Sequence, residues 1–211
     1  HNSVITVGCL PLARTCLLPN TINEFSRKFP DCQIHVIDGP YQDLLNHLRH
    51  GDLDILIGAL RFPSPSTDIR QETLFQSHNK ILSRNDHPLS LKEQITLDDL
   101  QGSSWVVSNV NTPGRRMFED IFTSQERDVP TRIVEASSQM LVRELLLGSD
   151  RLTILSQHQI TRELEEGHFT ILPFDCKKQS RPIGLTMRKN WFATSVQNHF
   201  LTLLREKGVQ L

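Results

Sequence analysis

Three changes of apolar rhythm within residues 17–57 constrain this chain more than any other feature. The segment reads LLPNTINEFSRKFPDCQIHVIDGPYQDLLNHLRHGDLDILI. Leu18, Ile22, Phe25 and Phe29 recur at helical spacing and place one apolar stripe on a helix. Pro30 ends that helix, because proline disfavours helical geometry in the residue before it. Ile34 and Val36 then alternate with Gln33 and His35 in a strand closed by Asp38 and Gly39. Leu44, Leu45 and Leu48 begin a second amphipathic helix that Gly51 stops, and residues 53–57 are nearly all apolar, as in a strand covered on both faces. With residues 4–10 in front, the order is strand, helix, strand, helix, strand, which is a parallel α/β unit.

The rest of the chain repeats this rhythm. Two polar, proline-bearing stretches, RFPSPST at 61–67 and KKQSRP at 177–182, bracket a middle block. Within it the pattern predicts strands at 80–84, 104–108, 132–135, 152–156 and 170–174, and helices at 114–124, 139–147 and 158–166. A strand at 182–188 and an amphipathic helix at 193–206 follow, the latter with Val196, Phe200 and Leu203 on one face. The economical arrangement is two Rossmann-like α/β subdomains joined by two crossover strands. Residues 1–74 with 177–211 form the first, and residues 75–176 the second. A two-strand hinge predicts a cleft between them, lined by helix N-termini and therefore preset for an anion.

Composition narrows the function. At 211 residues and 37% apolar content the chain can bury one or two real cores. A net charge of −1 supplies no bulk attraction to nucleic acid or anionic membrane. No apolar run approaches the roughly 18 residues of a membrane span, and His1–Asn2–Ser3 leads straight into a strand with no signal region, so the expected compartment is the cytoplasm. Cys9, Cys16, Cys32 and Cys176 form no CxxC pair and no zinc-ligand spacing, and read as reduced, packed thiols. Cys9, at the end of the first strand, is the one placed to matter.

Catalytic signatures are missing. The glycines are too dispersed for GxGxxG or a P-loop, and HExxH and GxSxG do not occur. His47 and His50 sit three apart on a helix without an evident third ligand and read as a solvated edge. Asp98–Asp99, before a short helix or turn, and Glu165–Glu166, ending a polar helix, read as capping or solvent-facing charge. Neither an enzyme, a metal site nor a cofactor is expected.

The joint order of several short motifs resembles the effector-binding domain of LysR-type bacterial transcriptional regulators. They are Leu17–Leu18–Pro19, Phe25, Phe29–Pro30, Gly39, Leu48, Gly51 and Leu53–Asp54, then His87–Pro88–Leu89, Asp99–Leu100 before Trp105, residues 141–148 leading to 152–155, and Arg181–Pro182–Ile183. The resemblance spans nearly the whole chain. It departs from the family pattern at Gly148–Ser149–Asp150–Arg151, where many members have glycine-x-glycine. That stretch is similar to members that regulate sugar or aromatic-acid catabolism, or is an ordinary helix-to-strand turn.

The resemblance implies a type 2 periplasmic-binding-protein-like fold that binds a small organic acid or related metabolite between the subdomains. It also implies pairing into a homodimer or homotetramer, and contact with DNA only through an N-terminal winged helix-turn-helix. Nothing in the chain corresponds to that part, so the chain is expected to be a piece of a longer regulator. Family members pair antiparallel, which implies that the helix at 13–29 packs against a partner's second subdomain. The peroxide-sensing branch uses two cysteines in the second subdomain, and residues 75–175 contain none.

Mapped onto this sequence, the ligand-binding candidates are Leu10, Pro11 and Leu12 after the first strand, Ala59 and Arg61 after the third, Asn111, Thr112 and Arg115 at one helix start, Ser137 and Ser138 at another, and His158. Leu10 and Leu12 serve either as an apolar wall or as plain core. Thr112, followed by Pro113, either caps its helix or contacts the ligand, as do Ser137 and Ser138. Arg115 and Arg116 point about 100° apart, so at most one faces a ligand well. The alternatives from other classes are a periplasmic solute-binding protein for a small anion and a short ATP phosphoribosyltransferase. The latter needs a glycine- and threonine-rich phosphate loop that the sequence lacks.

Overall fold

The computed structural model describes residues 3–176 and 180–211. His1, Asn2 and the Lys177–Gln179 part of the second polar stretch therefore lie outside the described residues. The chain starts with β1 (Val4–Cys9), a 3-10 turn at Pro11–Ala13, α1 (Leu17–Lys28), β2 (Gln33–Ile37), α2 (Tyr41–His50), β3 (Ile55–Ala59) and β4 (Ile69–Arg84). The middle contains α3 (Leu97–Gln101), β5 (Trp105–Val107), α4 (Pro113–Thr123), β6 (Ile133–Glu135), α5 (Gln139–Leu147), β7 (Thr153–Ser156), α6 (Thr161–Glu165) and β8 (Phe169–Ile171). It closes with β9 (Ser180–Arg188) and α7 (Ser195–Val209). Two compact units result: His1–Ser77 with Ser180–Leu211, and His78–Gln179.

In the first unit β1 pairs in parallel with β2 and β3, and β3 pairs antiparallel with β9, which lies next to β4. Side chains on β3 alternate between two cores. Ile55 and Ile57 join Ile5, Val7, Phe25 and Phe200 under α1 and α7, whereas Leu56 joins Leu44, Leu45 and Leu48 from α2. Burial on both faces is why this strand reads as an unbroken apolar run. Phe25 stacks on Phe29 at 4.9 Å and meets Phe200 edge-on at 5.2 Å, geometry that adds to simple area burial. Asp54 ties β3 to β1, its carboxylate accepting from Thr6 N–H at 2.9 Å.

In the second unit β5 pairs in parallel with β6 and bridges to Leu152, just before β7. The second half of β4 pairs antiparallel with β7 and β8. Trp105 anchors one face, 5.0 Å from Phe118 and with its indole N–H donating to Leu100 O at 2.9 Å. Val106 turns the other way, to Val142, Leu146 and Phe169.

Several elements differ from their sequence expectation. The first crossover strand begins at Ile69 rather than 80, because residues 69–77 complete the first unit's sheet. The predicted helix at 158–166 is a 3-10 turn at Gln157–Gln159 and a separate α6, broken where Ile160 takes φ −136° and ψ 28°. The strand predicted at 170–174 is Phe169–Ile171, and the helix at 13–29 is a 3-10 turn followed by Leu17–Lys28. Asp98 and Asp99 lie inside the first turn of α3, not before it. On β2 only Ile34 packs inward; Val36 is 44% exposed because this strand is at the sheet edge.

Candidate functional site

Parallel strands end on a common edge, so the loops after β1, β2 and β3 gather there in the first unit. Leu10 and Leu12 are both core residues, Leu10 packing under α2 and Leu12 beside α1, while Pro11 is exposed. Leu10 is also pinned by its backbone, donating from N–H to Ile57 O at 2.9 Å. Cys9, just before it, is fully buried, and burial pushes its thiol up to about 12, against the pull of neighbouring Arg14. At neutral pH it is a protonated packing group. Arg14 donates to Cys9 O at 3.2 Å and pairs with Asp38 at 3.1 Å, which joins the first two loops.

Arg61 is the charged member of this edge. Gln71 grips its backbone from both sides, accepting from Arg61 N–H at 3.0 Å and donating to Arg61 O at 2.7 Å. The guanidinium donates to the carbonyl of half-buried Ala59 at 3.1 Å and lies over the Tyr41 ring, 4.0 Å from its centroid. That distance is a close cation–π contact. Neither Tyr41 nor Gln71 carries a motif that sequence reading could have used.

The second unit has the same logic. Strands β5, β6 and β7 run parallel, and each is followed by a hydroxyl-capped helical start. Thr112 caps α4, its Oγ1 accepting from Arg115 N–H at 3.2 Å and donating to Asn109 O at 2.7 Å. Asn111 before it is exposed and takes φ 67°, a left-handed conformation that asparagine tolerates better than most residues. Ser138 caps α5 through Leu141 N–H at 3.3 Å, and both Ser137 and Ser138 are exposed. Ser156 caps the third start and lies 3.2 Å from Nδ1 of half-buried His158. The fold thus places Asn111, Thr112, Ser137, Ser138 and His158 just after the carboxyl ends of β5, β6 and β7.

Arg115 is held differently. Its guanidinium donates to Glu119 at 3.0 Å, to Ser108 O at 3.2 Å and to Glu135 at 3.3 Å, with 12% of the side chain exposed. Glu135 also accepts from Val110 N–H at 3.2 Å. Two carboxylates already balance this cation, so its first role is to lock the loop after β5 onto β6. Arg116 is exposed. Among the described residues no cluster of three His, Cys, Asp or Glu could hold a metal, and no helix is long and apolar enough to cross a membrane. His47 faces Asp52 at 3.2 Å.

This architecture has known relatives. The family model described as the LysR substrate binding domain matches residues 1–208. The HTH-type transcriptional regulator GalR of Pseudomonas putida is 30% identical over 203 residues, covering 96% of this chain and 51% of that protein. The HTH-type transcriptional regulator YdcI of Escherichia coli is 29% identical over 188 residues, 89% of this chain and 61% of its own. The chain therefore spans roughly half to three fifths of these regulators' length. Among solved structures, the CcmR regulatory domain of Synechocystis, in complex with 2-PG, superposes with a TM-score of 0.82 at 19% identity, covering 97% of each chain.

Proposed function

Since this chain belongs to the family of LysR substrate-binding domains, we propose that it senses a small organic acid or related metabolite on behalf of a bacterial transcriptional regulator. Its fold is the type 2 periplasmic-binding-protein-like fold of LysR regulatory domains. The observation that carries this reading is the match to regulators over nearly the whole chain. The same match disfavours a periplasmic solute-binding protein. In this reading the two units are regulatory subdomains I and II, and DNA contact belongs to a winged helix-turn-helix elsewhere in the regulator. The regulator works in the cytoplasm as a homodimer or homotetramer.

Effector contacts are assigned to the loops that follow the parallel strands: Pro11, Ala59 and Arg61 in the first unit, and Asn111, Thr112, Ser137, Ser138 and His158 in the second. Leu10 and Leu12 shape the first loop from beneath. Arg115 acts by positioning the loop that carries Thr112. Hydroxyl caps at helix starts support this assignment, because amide N–H groups and the helix dipole favour an anion there. An effector shifts the regulator between states by no more than its differential affinity for them.

The test is thermal unfolding against a panel of carboxylates, sugars and sugar acids. A ligand at ~100 times its dissociation constant adds about 2.7 kcal/mol, a readable rise in midpoint. The expected result is a dose-dependent shift for one chemical class, reduced in Thr112→Ala and Ser138→Ala. A shift untouched by those changes would move the site elsewhere, and silence across the panel would overturn the ligand class.

A further inference from the structure

Register places two arginines of the first unit against each other. Ala59 on β3 faces Ile183 on β9, and Leu60 N–H donates to Pro182 O at 3.0 Å. Continuing that ladder by one residue sets Arg61 opposite Arg181. Like charges directly opposed on antiparallel strands repel, so this placement works against the fold unless something else rewards it.

Among the described residues, two buried side-chain polar atoms have no hydrogen-bond partner: Arg181 Nε and the Tyr41 hydroxyl. Both belong to the same neighbourhood, since the Arg61 guanidinium lies over the Tyr41 ring. Burial, and then the charge of Arg61, push Arg181 down to about 10, which leaves it a cation at neutral pH. Burial pushes the Tyr41 hydroxyl up, against the pull of the Arg61 charge over its ring. A buried guanidinium N–H and a buried hydroxyl left without acceptors are both unfavourable, and each belongs to a residue next to Arg61, a second cation whose backbone Gln71 holds in place.

We propose that Arg61, Arg181 and Tyr41 form a subsite for an oxyanion of the effector, a carboxylate or a phosphate. Arg181 Nε and the Tyr41 hydroxyl donate to the anion, and Arg61 adds the second positive charge from its perch on the Tyr41 ring. A guanidinium edge suits both oxyanions, since its N–H groups diverge to match paired oxygens. This assignment rests on the effector-binding reading and adds two residues, Tyr41 and Arg181, to it. It also specifies that the effector carries a negative charge.

The experiment compares sodium acetate, sodium phosphate, acetamide and sodium chloride at constant ionic strength, reading the thermal midpoint of the wild type, Arg181→Met and Tyr41→Phe. Tyr41→Phe removes one oxygen and keeps the ring under Arg61, so it serves if Arg181→Met folds poorly. The expected result is saturable stabilisation by acetate or phosphate but not by acetamide or chloride. Its apparent affinity should fall at least tenfold in Arg181→Met and several-fold in Tyr41→Phe. Response to acetate alone identifies a carboxylate subsite, and response to phosphate alone a phosphate subsite. Without anion, Arg181→Met should unfold no lower than the wild type, because it removes a buried N–H that has no acceptor; a purely structural arginine would lower the midpoint. Anion stabilisation that survives both substitutions overturns the subsite, as does the absence of any anion response. Neither result touches the effector-binding reading as a whole, whose ligand class fails separately if the wider panel of carboxylates, sugars and sugar acids is silent.

Discussion

His87 Nε2 lies 2.8 Å from the carbonyl oxygen of Asp150, a contact that links the loop after β4 to the turn before β7. The other ring nitrogen accepts from Leu89 N–H at 2.9 Å, so the imidazole carries its hydrogen on Nε2. Asp150 is tied a second time through its side chain, which accepts from Arg84 at 2.6 and 3.1 Å. The Ser149–Asp150–Arg151 stretch is therefore a braced turn.

His87 is 4% exposed, so His87→Ala removes two hydrogen bonds, to Asp150 O and from Leu89 N–H, and empties a buried site, and should cost about 1–3 kcal/mol. His87→Asn should cost less, because its side-chain oxygen still caps Leu89 N–H while losing the reach to Asp150. Urea unfolding of the two variants checks the order. Equal losses would mean that the Asp150 contact contributes nothing.

The apolar rhythm of residues 17–57 made the first unit legible, because burial on both faces of β3 leaves a continuous signature. The cap at Thr112 was legible for a related reason: Thr–Pro at a helix start is a local signal. Long-range register is not. The opposition of Arg61 and Arg181 depends on pairing strands that are 120 positions apart in sequence, and no local pattern encodes it. The pairing of Arg115 with Glu135 was illegible for the same reason, since that carboxylate comes from β6, 20 positions further along the chain. The break at Ile160 escaped because TRELEE continues the helical composition on its far side.

Gly58 should be irreplaceable. It takes φ +150°, and a Cβ there would overlap the Leu10 side chain. Gly58→Ala should therefore lose about 1–3 kcal/mol from overpacking, with backbone strain in addition. Gly51 separates the two contributions. It takes φ +88° at the end of α2 with open space around it, so Gly51→Ala pays only for conformation, about 1 kcal/mol. Chemical denaturation should rank the Gly58 variant as the less stable. The reverse order would show that Leu10 yields easily.

Acid should weaken α3 in a defined window. The Lys92 ammonium at 2.8 Å, and then the Thr96 backbone N–H at 2.9 Å, hold the Asp99 carboxyl down at about 2. A carboxyl depressed in the folded state contributes stability that is full above its ordinary value of 3.8 and is lost as pH falls through about 2. The stability gap between wild type and Asp99→Asn should thus be constant near pH 5 and close progressively from pH 4 downward. Urea midpoints at pH 5, 4, 3 and 2 read it directly. A gap independent of pH would remove the ionised carboxylate as its source.

Thr112 and Ser138 combine two roles that one experiment can separate. Each hydroxyl accepts from a backbone N–H of its own helix, Arg115 or Leu141. Loss of such a cap costs about 0.5–2 kcal/mol, so Thr112→Ala and Ser138→Ala should each lower stability by that amount without any ligand. Thr112→Ser keeps the oxygen and should lose little. Contact with an effector appears only as an extra term: the ligand-induced rise in midpoint shrinks in the alanine variants beyond the fixed loss from the cap. Because serine preserves the donor, it should also preserve most of that rise. Full ligand-induced stabilisation in Thr112→Ala would assign the hydroxyl to the helix alone.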